Sequence, residues 1–257
     1  MSLWVVVPAF NAARQLGDVI RRVLAANPPG LDTIVIVDDG SRDHTAAVAR
    51  ALTRSAATSE SPFPPAAPPS PRRASLRVSL IVREKNGGYG AAMKAGLEAA
   101  RQGGATTVAS VHADGQYSPE ALEGLLETLN CQHLDLVQGS RIAGGTALKG
   151  GMPFYKYAGN WLLNKLERRV FTLPMTDFHS GYLVYGGRVL AEVPSARLSD
   201  SFDFDMEVIA SARARGLLVG EAPIPTRYAD EISHLNPLTY GLRVLRVMWR
   251  FKRGCYA

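Results

Sequence analysis

Cysteine is nearly absent: the 257 residues contain two, Cys131 and Cys255, at no metal-ligand spacing. A disulfide framework and a zinc cluster are thereby excluded, and a reducing cytoplasm is the expected compartment. No run of about 18 apolar residues occurs, so no transmembrane helix is expected. The opening MSLWVVVP has no basic region and meets Pro8 too early for the apolar core of a signal peptide, so it reads as a strand. Acidic residues are missing from the last 21 positions, which hold five basic ones, and this stretch carries most of the net charge of +6. What is present is ordinary: 46% hydrophobic and 20% charged residues exclude disorder and collagen-like repetition and suit one globular domain.

Apolar runs rich in β-branched residues recur at Leu3 to Val7, Thr33 to Val37, Val78 to Val82, Thr106 to Val111 and Leu134 to Val137. Stretches of helical period lie between them, at 12–26, 43–56, 89–102 and 118–130. Strands too apolar to have a wet face, alternating with helices, predict an α/β fold whose mostly parallel sheet has helices on both faces. Residues 55–75 hold six prolines and almost no large apolar side chain, a disordered surface loop with no assigned role. Further helices are expected at Phe154 to Phe171 and Asp205 to Arg215, and a strand at Gly181 to Tyr185. The domain is expected to span 1–236, followed by a helical segment at 237–257.

Ligands of such sheets bind beyond the carboxyl ends of the strands. The polar motifs sit at those ends: Pro8-Ala-Phe-Asn11, Asp38-Asp39-Gly-Ser41, Glu84-Lys-Asn-Gly-Gly88, His112-Ala-Asp-Gly-Gln116 and Gly139-Ser-Arg141. Asp38 or Asp39 can accept hydrogen bonds from a base or ribose, or simply end a strand ahead of a helix capped by Asp43. Asn86 and Gly87 open a glycine turn whose N–H groups can approach a phosphate at a helix N-terminus; it matches neither the dinucleotide fingerprint nor the P-loop. His112, Asp114 and Gln116 alternate on a tight loop and can share a divalent cation, or form an ordinary turn.

These motifs, with TDFHSGY, FDFDMEVIASARARG and EAPIPTRY further on, resemble glycosyltransferase family 2 in order and spacing over nearly the whole chain. Within it they look most like the dolichyl-phosphate mannose synthase and bacterial polyprenyl-phosphate sugar transferase branch. The resemblance implies a GT-A fold and inverting transfer from a UDP- or GDP-sugar to a polyprenyl phosphate. Pro8, Ala9, Phe10, Asn11, Asp38, Asp39 and Ala113 would hold the nucleotide sugar. Asp114 would be the main carboxylate on Mn²⁺ or Mg²⁺, with Gln116 beside it. Asp177 would lie near the donor sugar or metal, Arg227 would reach the diphosphate, and Arg141 would stand on the acceptor side.

Two departures from that pattern stand out. His112 replaces the aspartate that usually begins the metal motif, lowering the negative charge and favouring Mn²⁺ or a later metal over Mg²⁺. In the acceptor region an arginine-rich stretch is replaced by one bearing Lys149 and Lys156, point charges without arginine's fork. His179 is a further candidate metal or phosphate contact. Asp205, near Asp203 and Glu207, is the candidate general base for a sugar-hydroxyl acceptor; a phosphate acceptor, already anionic, needs none.

Arg243, Arg246, Arg250 and Arg253 fall at steps of three, four and three, on a helix with Leu242, Leu245 and Trp249 on other faces. This amphipathic helix either docks on the domain or lies on an anionic membrane, which would make the protein a peripheral one on the cytoplasmic face. No nucleic-acid-binding module is recognisable. The rival readings are a family 2 enzyme with a sugar, glycolipid or small hydroxyl acceptor, and a nucleotide-sugar-binding protein that has lost catalysis.

Overall fold

The computed structural model describes residues 1–58, 76–144, 154–225 and 237–257. Seven strands form one sheet: β1 (Leu3–Ala9), β2 (Leu31–Asp38), β3 (Arg77–Val82), β4 (Thr107–Ser110), β5 (Leu136–Ser140), β6 (Leu183–Gly186) and β7 (Val219–Pro223). Their order is β3-β2-β1-β4-β6-β5-β7. β6 runs antiparallel to both β4 and β5, while the other pairings are parallel. The carboxyl ends of the six parallel strands and the amino end of β6 therefore share one edge of the sheet.

Eight helices accompany the strands among the described residues: α1 (Leu16–Ala26), α2 (Thr45–Thr58), α3 (Tyr89–Gln102), α4 (Leu122–Cys131), α5 (Phe154–Phe171), α6 (Gly187–Glu192), α7 (Phe204–Ala214) and α8 (Pro237–Lys252). Side chains alternate across a strand, so neighbouring β1 residues enter different cores. Leu3, Val5 and Val7 pack with α1 and α4 through Leu16, Ile20, Leu122 and Leu126. Trp4 and Val6 face α3, α7 and α8 through Met93, Leu97, Ile209 and Val247. Helices cover both faces, as the unbroken apolar strands require.

Several expected boundaries shift. α1 begins at Leu16, because Ala12 is drawn aside, donating its N–H to Thr45 Oγ1 at 2.8 Å. α2 begins at Thr45 with Asp43 accepting the Thr45 N–H at 2.9 Å, and it continues to Thr58, into the stretch expected to be a loop; residues 59–75 lie outside the described residues. Gly139 and Ser140 belong to β5 itself. α6 and β7 had no counterpart in the sequence reading. α8 is folded onto α7: Val244, Val247 and Met248 are buried, and two of the four stripe arginines, Arg243 and Arg250, pair with Asp203 and Glu207.

Candidate active site

The shared sheet edge collects the motifs. Phe10 and Asn11 follow β1, exposed at the rim, with Asn11 in the left-handed region at φ 51°. Asn11 is locked to the loop after β2, its N–H donating to Ser41 Oγ and its Oδ1 accepting from the Arg42 N–H, both at 2.9 Å. Pro8 and Ala9 lie in β1 itself, and their carbonyls receive the N–H groups of Ala113 and Asp39 at 3.4 and 2.9 Å. β1, β2 and β4 thus present their loops as one unit.

The two aspartates after β2 are both buried and do different work. Asp38 accepts the Ser41 N–H at 3.2 Å and shapes its own turn. Asp39 reaches across to the loop after β3, pairing with Arg83 and accepting the N–H groups of Gly87 at 3.1 Å and Gly88 at 2.9 Å. Gly88 also donates to Asn86 Oδ1 at 2.9 Å. This corrects one expectation: the amides of the glycine turn are held by the protein's own carboxylate, so they are not offered to a phosphate. Gly40 is required here, since at φ 65° a Cβ would stand 2.5 Å from the Lys85 carbonyl carbon.

After β4, Asp114 is partly exposed and accepts the Gln116 N–H at 3.0 Å, which tightens the turn. His112 Nε2 lies 3.1 Å from the Tyr89 hydroxyl, which donates to Asp205 Oδ2 at 2.8 Å; Tyr185 donates to Asp205 Oδ1 at 3.4 Å. Burial lowers the His112 pKa, against the opposing charge of Asp114, and so favours the neutral imidazole that a metal takes. Burial also lifts Asp205 to about 7, with both tyrosines pulling it back down. Asp205 sits behind Tyr89 with both oxygens engaged, which corrects its reading as a base open to an acceptor hydroxyl.

The segment before β6 closes the edge. Asp177, fully buried, takes a two-pronged ion pair from Arg141, with Nε to Oδ2 at 2.9 Å and Nη2 to Oδ1 at 3.2 Å. Burial alone would raise this carboxyl, but the guanidinium outweighs it and holds it below its ordinary value. Glu221 of β7 accepts the Thr176 N–H at 2.8 Å, and Tyr117 accepts the Gly181 N–H at 3.0 Å. His179 is a third correction. Its ring is buried between Glu167 of α5, 3.2 Å from Nε2, and Tyr240 of α8, 3.0 Å from Nδ1, and so is committed to the helix packing.

Among the described residues no three His, Cys, Asp or Glu side chains converge as a metal cage. His112, Asp114 and Gln116 remain a nitrogen and oxygen donor set on one loop. That chemistry fits a cation of the Mn²⁺ type that draws its other ligands from substrate phosphate and water. Arg227 and Lys149 lie outside the described residues, as does the side chain of Lys156 in α5. Tyr89, Tyr117 and Glu221 also reach this edge, with no role assigned to them from the sequence. Tyr89 was visible beside its glycines, but its partners come from distant elements.

The open mixed sheet, with its motifs at one edge, is that of the GT-A sugar transferases. The chain belongs to glycosyl transferase family 2, whose profile matches residues 4–193. It is 26% identical over 228 residues to the UDP-N-acetylglucosamine–dolichyl-phosphate N-acetylglucosaminyltransferase of Methanococcus voltae, covering 89% of this chain and 86% of that one. It is 29% identical over 221 residues to the polyprenol monophosphomannose synthase of Mycolicibacterium smegmatis, covering 86% of this chain and 75% of that one. Its fold is similar to glucosyl-3-phosphoglycerate synthase from Mycobacterium tuberculosis, crystallised with Mn²⁺ and uridine diphosphate. The TM-score is 0.66 at 16% identity, with 97% of this chain and 79% of that chain covered.

Proposed function

We propose that this glycosyltransferase moves one sugar, with inversion, from a nucleoside diphosphate sugar to a polyprenyl phosphate. The observation that carries the acceptor assignment is the fate of the three candidate bases. Asp205 is enclosed by Tyr89 and Tyr185, Asp203 is held by Ser199 and Arg243, and Glu207 by Arg250, Ser199 and Tyr256. None is free to deprotonate a hydroxyl, and a phosphate acceptor needs no base because it arrives anionic. Relatives that act on dolichyl or polyprenol phosphates and span most of this chain support the same reading.

In this reading the loops after β1 and β2 receive the nucleotide, with Phe10 and Asn11 at the rim and Asp38 toward the base or ribose. A phosphate oxygen of the acceptor attacks the anomeric carbon from the face opposite the leaving group. The bond from that carbon to the diphosphate breaks, and the nucleoside diphosphate departs with both electrons. Asp114, with His112 and Gln116, would hold a divalent cation, which when bound neutralises charge on the leaving diphosphate. Asp177 and Arg141 brace the opposite wall. Arg141, Lys149 and Lys156 on the acceptor side, and Arg227 toward the diphosphate, complete the assignment.

Association with a membrane belongs to the same proposal. No described helix is long and apolar enough to cross a bilayer. Exposed Leu242, Leu245 and Trp249 on α8, and Trp161, Leu162 and Leu166 on α5, would bring the enzyme to the surface where the lipid acceptor resides.

A thermal-shift panel of UDP, GDP and their sugars, each with Mn²⁺, Mg²⁺ or chelator, tests the donor side, since a ligand bound only by the native state stabilises it. One nucleotide class should raise Tm in a metal-dependent way, and labelled sugar should then pass to undecaprenyl phosphate with inverted anomeric configuration. No shift under any condition would overturn the nucleotide-sugar donor, whereas a shift with no sugar transferred to any acceptor would support a nucleotide-sugar-binding protein that has lost catalysis.

A further inference from the structure

A cavity of about 320 Å³ opens beside the Arg141–Asp177 pair, lined by their chain neighbours Ile142 and Thr176 and by Trp161, Asn164, Lys165 and Arg168 of α5. Its lining is unusual in what is left unpaired. Asn164 is only 4% exposed, and its Oδ1 accepts the Phe178 N–H at 3.1 Å, which fixes the amide's orientation. Nδ2 is thereby left buried without a partner, a deficit that a bound acceptor atom would relieve. Lys165 and Arg168 make no ion pair among the described residues; Lys165 lies 5.3 Å over the Trp161 ring. Among the described residues no carboxylate lines the cavity. Donors of positive charge, an orphan amide and an indole face therefore meet in one place.

We infer that this cavity receives the acceptor's phosphate, with Lys165, Arg168 and Asn164 Nδ2 as its donors and Trp161 against the first apolar units of the lipid. The inference rests on the polyprenyl-phosphate reading above and moves the head-group site onto α5. A phosphate there stands next to Arg141 and Asp177 at the sheet edge where the donor sugar is placed. An apolar tail leaving past Trp161 would run out over exposed Leu162 and Leu166 of the same helix. A free phosphate would use the cations and the amide but would leave the indole idle.

The test is a titration with farnesyl phosphate below its micelle concentration, followed by calorimetry, with farnesol, inorganic phosphate and glycerol phosphate as comparison ligands. The native protein should bind farnesyl phosphate saturably and the other three at least about tenfold more weakly. Replacing both cations, Lys165→Gln with Arg168→Gln, should weaken farnesyl phosphate binding by about 10- to 100-fold. The nucleotide-induced rise in Tm should be unchanged. Arg169→Gln removes an exposed cation of α5 that does not line the cavity, and should leave binding as it was. Undiminished binding by the double variant, or an equal loss in Arg169→Gln, overturns the site while leaving the lipid-phosphate acceptor standing. Equal affinity for glycerol phosphate overturns the lipid as occupant. Failure of the native protein to bind farnesyl phosphate while nucleotides still raise Tm refutes the acceptor reading itself, and the cavity assignment with it.

Discussion

A methyl group at position 181 has no room. A Cβ there would meet the His112 ring, 2.6 Å from Nε2, and lie 3.2 Å from Asp205 Oδ2. The neighbour is a ring already fixed by Tyr89 and stacked edge-on to Tyr117 at 5.0 Å, so it cannot yield alone. Gly181→Ala should therefore destabilise the fold by about 1–3 kcal/mol through overpacking and displace the loop that carries His112. Transfer activity should fall by roughly tenfold or more even at temperatures where the variant is fully folded, since small misplacements of a positioned group are costly. Thermal unfolding and initial rates check the two parts separately. Asp205 makes a second prediction, on pH. Its folded pKa of about 7 lies above the ordinary 3.8, so the native state keeps a proton that the unfolded chain has already released between those values. Its contribution to stability is full below the unfolded value, is lost as pH rises through that window, and stays lost above the folded one. Asp205→Asn should remove this decline, each unit of pKa difference being worth about 1.4 kcal/mol. Denaturant melts of variant and parent from pH 4 to pH 8 should draw apart in the variant's favour as pH rises; parallel curves would show that Asp205 is not held protonated.

Among the elements, α8 shows where periodicity stops being informative. Its four arginines form a stripe in the sequence, but nothing in their spacing shows that Asp203 and Glu207 of α7 stand opposite two of them. Arg250 pairs with Glu207, whose carboxylate is 2% exposed and also receives the Tyr256 hydroxyl at 2.5 Å. Arg250→Ala leaves that carboxylate buried without its cation, and because the arginine is itself partly exposed the expected cost is about 2 kcal/mol. Pairing it with Glu207→Gln should recover most of the loss, which urea melts of both variants would show. The same limit explains what else the sequence left hidden. Five of the six parallel strands and the loops after them were legible, because buried parallel strands read as unbroken apolar runs. β6 is four buried residues long, and a run of that kind has no mark of direction, so its antiparallel course appears only with its neighbours in place. β7 ends at Pro223 in a proline-bearing stretch that reads as loop. The turn from His112 to Gln116 is legible from its own residues. The surroundings of Asp39 and His179 are not, because their partners lie 48 and 49 residues on for Asp39, and 12 residues back and 61 on for His179.

For the whole molecule, the docking of α8 divides its surface between two tasks. The face with Val244, Val247 and Met248 completes the core beneath α7, and the remaining exposed apolar side chains, Leu242, Leu245 and Trp249, gain nothing from that core. α8 packs against α5, which exposes Trp161, Leu162 and Leu166, so among the described residues two touching helices carry six of the eleven large apolar side chains left exposed. The net charge of +6 adds a long-range attraction to anionic surfaces that these side chains alone would lack. Proposed membrane docking through these helices therefore has two separable parts. Binding to vesicles rich in anionic lipid should exceed binding to neutral ones and weaken as salt rises from 0.1 to 1 M, where the screening length falls from about 10 Å to about 3 Å. The apolar part should survive the salt: Leu245→Ser and Trp249→Ser should each lower vesicle affinity by about tenfold at any ionic strength, with Tm unchanged because neither side chain is buried in the fold. Co-sedimentation with liposomes alongside a thermal melt measures both. Unaltered sedimentation of a variant carrying both substitutions would remove α8 from the proposed docking surface and leave α5 as its remaining part.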